Sequence, residues 1–239
     1  MRLACGNQLS PTQNLMGNGM QASAKNQTAG AYLPSDNPTS LVGWFRMGVG
    51  VTVTGAGVST WADQSGNGHD LLQAVDAKRP AYDGSAIITF DGTSDFLKCV
   101  SFTLAQPQQV SLLVNPITWT DQDRIFDANT ANHAVMFQNT STPTIKIYSL
   151  SSVVAANTNL TLGSFHAATV LFAGASSSIT VDNTAPTTGN PGAGSLSGFT
   201  LGASASGGSP SNIAVKEIIL RNVDDATIRA NDHAYLQTF

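Results

Sequence analysis

From Leu41 onward the apolar residues fall in short runs broken by Gly, Asn, Ser and Asp. "LVGWFRM" and "VTVTG" are followed by "AIITF" at 86–90 and "DFLKCV" at 95–100. "QVSLLVNPITW" at 109–119 is the strongest apolar run, and its length predicts a central strand buried on both faces. "RIFDA", "HAVMFQ", "TIKIYSL", "FHAATVLFA", "SSITVD", "GFTLGAS" and "NIAVKEIILRN" continue the series. Short runs with regular turn signals predict an all-β, antiparallel two-sheet jelly-roll sandwich rather than a parallel α/β sheet. One helix closes the chain. Asp224 or Asp225 is placed to cap it, and Ile228, Tyr235, Leu236 and Phe239 share one face.

Residues 1–38 show neither period. Their Gly, Asn, Gln, Ser and Pro content predicts an extended N-terminal arm, with Leu9, Leu15, Met16, Met20, Tyr32 and Leu33 spaced along it to dock on a neighbour. The expected division is therefore an anchoring arm over 1–38 and one β domain over 39–239.

Composition agrees with strands and turns. Charged residues are 11% of the 239, against about 25% in ordinary soluble chains. Long surface helices lean on those residues, so few are expected. The formal net charge is −4 and the 11 basic residues are scattered, which gives no footprint for nucleic acid. No apolar run approaches the 18 or so residues of a membrane span. The opening "MRLACGNQLSPTQ" lacks an apolar leader segment, and the Met1 start is read as that of a complete product of a cytoplasm. Cys5 and Cys99 are far apart, and no disulfide between them is expected.

"LVGWFRM…VSTWADQSGNGHDLLQ…RPAYDG…AIITFDGTSDFL" resembles the opening of concanavalin A-like lectin/glucanase domains of the laminin-G-like type. The later segments and the closing helix resemble the remainder, so the likeness covers about 41–239. It implies two antiparallel sheets curved into a jelly roll. Jelly rolls of this kind carrying a polar extended arm resemble those of bacteriophage particles.

The chemistry on offer is sparse. Glucanases of the resembled superfamily need two acidic residues flanking the scissile bond, yet the chain has a single glutamate, Glu217 in "VKEIIL". The other acids are Asp, mostly in turns, so no catalytic residue is assigned and the chain is read as non-enzymatic. His69, His133, His166 and His233 are isolated and have no zinc-ligand spacing. "TWTDQDRIFDAN" gathers Asp121, Asp123 and Asp127, oxygen donors of the kind calcium takes, so calcium is left open as a cofactor. Trp119, with Asp121 and Asp123, is the candidate sugar contact, since an aromatic face can stack on a sugar ring. Asp63, Ser65, Gly66, Asn67 and Gly68 of "DQSGNG" are read mainly as a tight turn, with Trp61 packing beneath it.

The function expected from these residues is a structural component of a virus particle: a decoration, fibre or tail appendage. Its arm would bind other virion proteins and its jelly roll would face outward toward a glycan. Homo-oligomerisation is left open. A free carbohydrate-binding lectin is the alternative, and a glycoside hydrolase is the less favoured one.

Overall fold

The computed structural model describes residues 30–140, 143–156 and 160–239. The arm residues Leu9, Leu15, Met16 and Met20, and Cys5, lie outside the described residues. The strands are β1 (Leu41–Phe45), β2 (Val51–Thr54), β3 (Gly57–Trp61), β4 (Leu71–Leu72), β5 (Ala81–Tyr82) and β6 (Ile88–Asp91). β7 (Leu97–Leu104), β8 (Gln108–Pro116), β9 (Arg124–Asp127), β10 (Val135–Asn139), β11 (Thr144–Tyr148) and β12 (Val153–Ala156) follow. β13 (His166–Phe172), β14 (Ser177–Val181), β15 (Thr187–Gly189), β16 (Leu196–Leu201) and β17 (Asn212–Arg221) complete the set before the helix α1 (Ala226–Leu236).

These strands form two antiparallel sheets, as the alternation of short apolar runs predicts. The back sheet has the order β15-β14-β13-β8-β17-β6-β5, and β1 also pairs with β17. The front sheet has the order β12-β11-β10-β9-β16-β7-β4-β3-β2. The run at 109–119 supplies β8, flanked by β13 and β17 and covered on both faces. Between the sheets lies one apolar layer that includes Phe45, Trp61, Phe90, Leu112, Phe126, Phe172, Phe199 and Ile218. Inward residues alternate with outward ones along each strand, so this layer also fixes which residues face away from it.

The outward face of the back sheet is sealed. Leu41, Trp44, Leu113, Ala167 and Ile219 pack under Tyr235 and Leu236 of α1, with Tyr32, Leu33, Phe165 and Phe239 at the margin. Asp225 caps the helix, its carboxylate accepting from the Thr227 and Ile228 amides. Of the residues expected on the buried helix face, Tyr235 and Leu236 are buried. The charged Asp232 is buried with them, and nothing in an apolar pattern announces it.

Asp232 is held by Arg221 of β17, and both side chains are fully buried. Arg221 Nε donates to one carboxylate oxygen at 2.5 Å and Nη2 to the other at 2.8 Å. The remaining guanidinium hydrogens go to the Asn37 and Pro34 carbonyls, each at 2.9 Å, to Ser40 Oγ and to the Tyr32 hydroxyl. Tyr32 in turn donates to Asp232 at 2.7 Å, and Gln109 Nε2 donates to it at 2.8 Å. One cation therefore ties residues 32–40, β17 and α1 together. A second buried charge, Glu217, accepts from Trp44 Nε1, the Met47 amide and the Tyr235 hydroxyl. It lies in β17, away from any cleft.

The glycine-rich motifs close turns. Asp63 accepts from the Trp44 and Ser65 amides through one oxygen, and from Ser65 Oγ and the His69 amide through the other. Asn67 Nδ2 donates to the Leu41 and Val42 carbonyls, so the loop is stapled to β1. Gly66 at φ +90° and Gly68 at φ +73° take the left-handed backbone that this reversal needs. Trp61 is buried beneath, against Phe45. In "FDGTSDF", Asp91 accepts from the Thr93, Ser94 and Asp95 amides. Asp95 accepts back from the Asp91 amide at 3.1 Å.

Two predictions follow from these buried groups. Replacing Asp232 by Asn or Arg221 by Met alone strands an uncompensated buried charge and should cost about 3–5 kcal/mol. Removing both charges together should cost less than the sum of the two single changes, as denaturant unfolding would show. Singles within about 1 kcal/mol of wild type would refute the anchoring role. For Asp95, burial first and the neighbouring Asp91 charge second push the carboxyl from 3.8 up to about 6. The folded state thus holds this proton more tightly than the unfolded chain. The stability it contributes is full below about 4, falls as pH rises to about 6, and is flat above. Asp95→Asn should flatten that segment and raise stability at neutral pH by roughly 1–3 kcal/mol; an unchanged pH profile would rule the effect out.

Candidate functional site

With the back sheet closed by α1, the outward face of the front sheet is the broad surface on which side chains can meet a ligand. A groove of about 340 Å³ does lie between α1 and β13–β14, lined by Thr169, Thr180, Pro186, Arg229, His233 and Gln237 among others. Most of its polar groups are already paired. His233 bonds Thr169 Oγ1 and the Asp182 carbonyl, Arg229 bonds Asp224, and Gln237 bonds Asn183. What remains there for a ligand is mostly methyl groups and ring faces.

The front sheet is different. Leu201, Leu97, Leu71 and Trp61 point into the core, so their neighbours in register point out. Reading across the strands, that outward row is Thr52, Thr60, Leu72, Lys98, Thr200 and Asp127. Successive members sit on strands about 4.8 Å apart. The row is predominantly polar, which is the opposite of the inward face.

Beyond Asp127 the row turns on an irregularity. Met136 pairs with Phe126, but the next residue, Phe137, pairs with Arg124, which leaves Ile125 as an extra residue in β9. Ile125 and Phe126 both enter the core. Such a bulge re-aims the side chain beside it, and here it turns Arg124 outward. Its guanidinium lies over the Phe137 ring at 4.6 Å, and Lys146 Nζ from β11 lies 5.5 Å from the same ring centroid. Arg124 Nη2 reaches Asn132 Oδ1 at 3.3 Å.

Two loops wall this floor. In the 128–134 connection the Asn132 amide donates to one Asp127 oxygen at 3.2 Å. In the 202–211 connection the Ala205 amide donates to the other at 3.1 Å. The Ala205 carbonyl takes Lys98 Nζ at 2.7 Å, and the Ser209 carbonyl takes the Arg124 amide at 2.8 Å. Burial pushes the Asp127 carboxyl up, opposed first by the Ala205 amide and then by Arg124. It likewise pushes Asp123 up, and it pulls the Arg124 guanidinium down against the charges of Asp127 and Asp123.

Three buried polar atoms on these residues have no hydrogen-bond partner: Arg124 Nε, Thr200 Oγ1 and Asn139 Oδ1. Thr200 is 0% exposed and Asn139 is 9% exposed. An unmet buried donor or acceptor costs roughly 1–3 kcal/mol, so groups of this kind fit a surface completed by water or by a ligand.

The residues expected from the sequence fall around this floor. Trp119 is half-buried against the core, with Nε1 3.4 Å from the Asn139 carbonyl. Its ring is thus partly committed to packing. Asp121 is exposed on the adjoining loop and accepts from the Thr140 amide and Gln122 Nε2. The Thr140 bond leads in holding its carboxyl below the usual range. Asp123 is half-buried beside Arg124, and Asp127 is fully buried on β9. Among the described residues no group of three or more His, Cys, Asp or Glu side chains converges as a metal site. The calcium set Asp121, Asp123 and Asp127 is therefore not brought together. Asp63, Ser65, Gly66, Asn67 and Gly68 form the stapled turn described above, away from this floor. Lys98, Arg124, Phe137, Asn139, Lys146 and Thr200 were not singled out by the sequence, because they join only through register across β7, β16, β9, β10 and β11.

No protein-family model and no curated relative matches the chain. Solved structures do. A Trypanosoma rangeli sialidase in complex with sialic acid is similar with a TM-score of 0.60 at 16% identity, over 82% of this chain and 33% of the sialidase. An α-L-arabinofuranosidase soaked with a cyclic sulfate inhibitor is similar with a TM-score of 0.52 at 15% identity, over 74% of this chain and 50% of that one. The same score of 0.52 is found for an arabinofuranosidase complexed with arabinofuranosyl-α-1,2-xylobiose, at 14% identity. The chain thus spans between a third and a half of the length of these proteins. At such identity the likeness establishes the β-sandwich fold alone. It also corrects two expectations. The reading as a bacteriophage virion component and the reading as a non-enzymatic protein both give way, since the similar structures named above are a sialidase and arabinofuranosidases.

Proposed function

We propose that the chain is a carbohydrate-recognising β-sandwich that takes its glycan on the outward face of the front sheet. The observation that carries this reading is the polar row ending in Thr200 and Asp127. It is walled by two loops and retains buried polar atoms without partners, while the back sheet is sealed by α1. A sugar presents hydroxyls, each both donor and acceptor, which suit the threonine, lysine and arginine side chains of this face. The sandwich shared with a sialidase and with arabinofuranosidases supports the same chemistry, as does the concanavalin A-like pattern of the SGNG and FDGTSD motifs. A module of this length, covering a third to a half of those chains, fits a glycan-binding part of glycan-processing machinery.

A second reading, hydrolysis of the bound glycan, is favoured by the same neighbours and by one feature of the floor. Asp123 and Asp127 lie to either side of Arg124 in sequence, and burial pushes both carboxyls up. Glycoside cleavage uses a pair of carboxyls, one of them raised above the ordinary carboxylate range.

Both readings meet in one experiment. Titration calorimetry of the full chain against a panel of oligosaccharides should find binding. Arg124→Met and Thr200→Val should each weaken it by at least about tenfold, or ~1.4 kcal/mol, without lowering the thermal midpoint by more than a few degrees. Release of reducing sugar from the bound oligosaccharide, lost in Asp123→Asn, would add hydrolysis. Binding that is indifferent to both floor variants but lost in Arg229→Ala would move the site to the helix groove and overturn the assignment.

A further inference from the structure

The SGNG turn does more than reverse the chain. It joins β3 to β4 in the front sheet, yet its side chains bond to β1, which pairs with β17 of the back sheet. Asn67 Nδ2 donates to the Leu41 carbonyl at 2.9 Å, to the Val42 carbonyl at 3.1 Å and to Ser65 Oγ at 3.1 Å. Part of the clasp between the sheets therefore rests on a side-chain amide whose carbon is open to attack by the next residue.

The surroundings favour that attack. Residues 66–68 are exposed. Gly68 has no side chain to shield its nitrogen, and the space that a Cβ would take there is empty to 4 Å. The Ser65, Asn67 and His69 amides are each taken by a side-chain oxygen. Among the described residues no acceptor takes the Gly68 amide. Other asparagines are worse placed. Asn37, Asn115 and Asn190 precede proline, which has no N–H to lose. Asn212 and Asn222 precede Ile213 and Val223, whose branched side chains crowd the nitrogen. Among the described residues, Asn67 is the one asparagine followed by glycine.

We propose that Asn67 is a site of spontaneous deamidation, and that the change loosens the clasp between the sheets. The Gly68 nitrogen gives up its proton to hydroxide and bonds to Asn67 Cγ. The Cγ–Nδ2 bond breaks, and Nδ2 leaves as ammonia with a proton taken from water. A second water opens the cyclic imide at either carbonyl, leaving an aspartate or, with the main chain rerouted through Cβ, an isoaspartate. Nothing is oxidised or reduced. A carboxylate then faces the Leu41 and Val42 carbonyls in place of N–H donors, with the Asp63 carboxylate one hydroxyl away through Ser65. Bonds that held the loop become repulsions.

The test incubates the full chain in mildly alkaline buffer. Peptide mapping locates the mass gain of an amide turned acid, and anion exchange separates the more negative product. The peptide carrying residues 65–69 should gain that mass before any peptide with another described asparagine. The rate should rise with pH, and Gly68→Ala should slow it severalfold. The modified fraction should melt lower by roughly 3 °C or more, and Asn67→Asp should melt lower as well. An unmodified 65–69 peptide in chains already modified at Asn18–Gly19, the same pair elsewhere in the sequence, would overturn the site. A modified chain with an unchanged melting midpoint would overturn the loosening. A Gly68→Ala chain modified as fast as wild type would overturn the route through the Gly68 nitrogen.

Discussion

The buried pair of Arg221 and Asp232 decides how the rest of the surface is used. Arg221 spends its donors on a carboxylate from α1, on a phenol and on carbonyls of residues 32–40, so helix, entry segment and central strand are fixed by one side chain. A buried ion pair is weak evidence for net stability, since apolar replacements often do as well. Its effect here is specificity of placement. With α1 docked, Tyr235 and Leu236 cover the back sheet, and among the described residues the outward polar row belongs to the front sheet.

The local fold was legible in the sequence because its signals are local. Alternation placed the strands, the long apolar run at 109–119 placed β8, and Asp225 placed the helix start. The tight turn at Asp63–Gly68 was also readable, since Asp, Ser and Gly at those spacings serve their own backbone. What escaped were effects of register. Thr200 and Asp127 are 73 residues apart in the chain numbering and become neighbours only through the pairing of β16 with β9. Asp232 looked like one more polar helix residue, and its partner Arg221 like the end of a strand.

The reading of the acids shows the same limit. "DQDRIFDAN" reads as oxygen ligands gathered for a cation, with an arginine in their midst. In the fold the bulge at Ile125 turns that arginine outward, beside Asp127 and over Phe137. A one-residue insertion in a strand has no sequence signature of its own here, yet it sets the arginine over Phe137, which the spacing of the acids does not announce. The functional expectation drifted for a related reason. A polar N-terminal stretch and a jelly-roll likeness were joined to a particle-borne role, whereas the sandwich itself is shared with glycosidases.

The polar character of the front face is kept in place by the loops above it. Burying Asp127 and Thr200 under the 128–134 and 202–211 loops leaves little water to screen or to solvate them. Under those conditions a polar group is tolerated where it is hydrogen-bonded, as Asp127 is by the Asn132 and Ala205 amides. The same dryness strengthens each hydrogen bond made there and raises the cost of one left unmade.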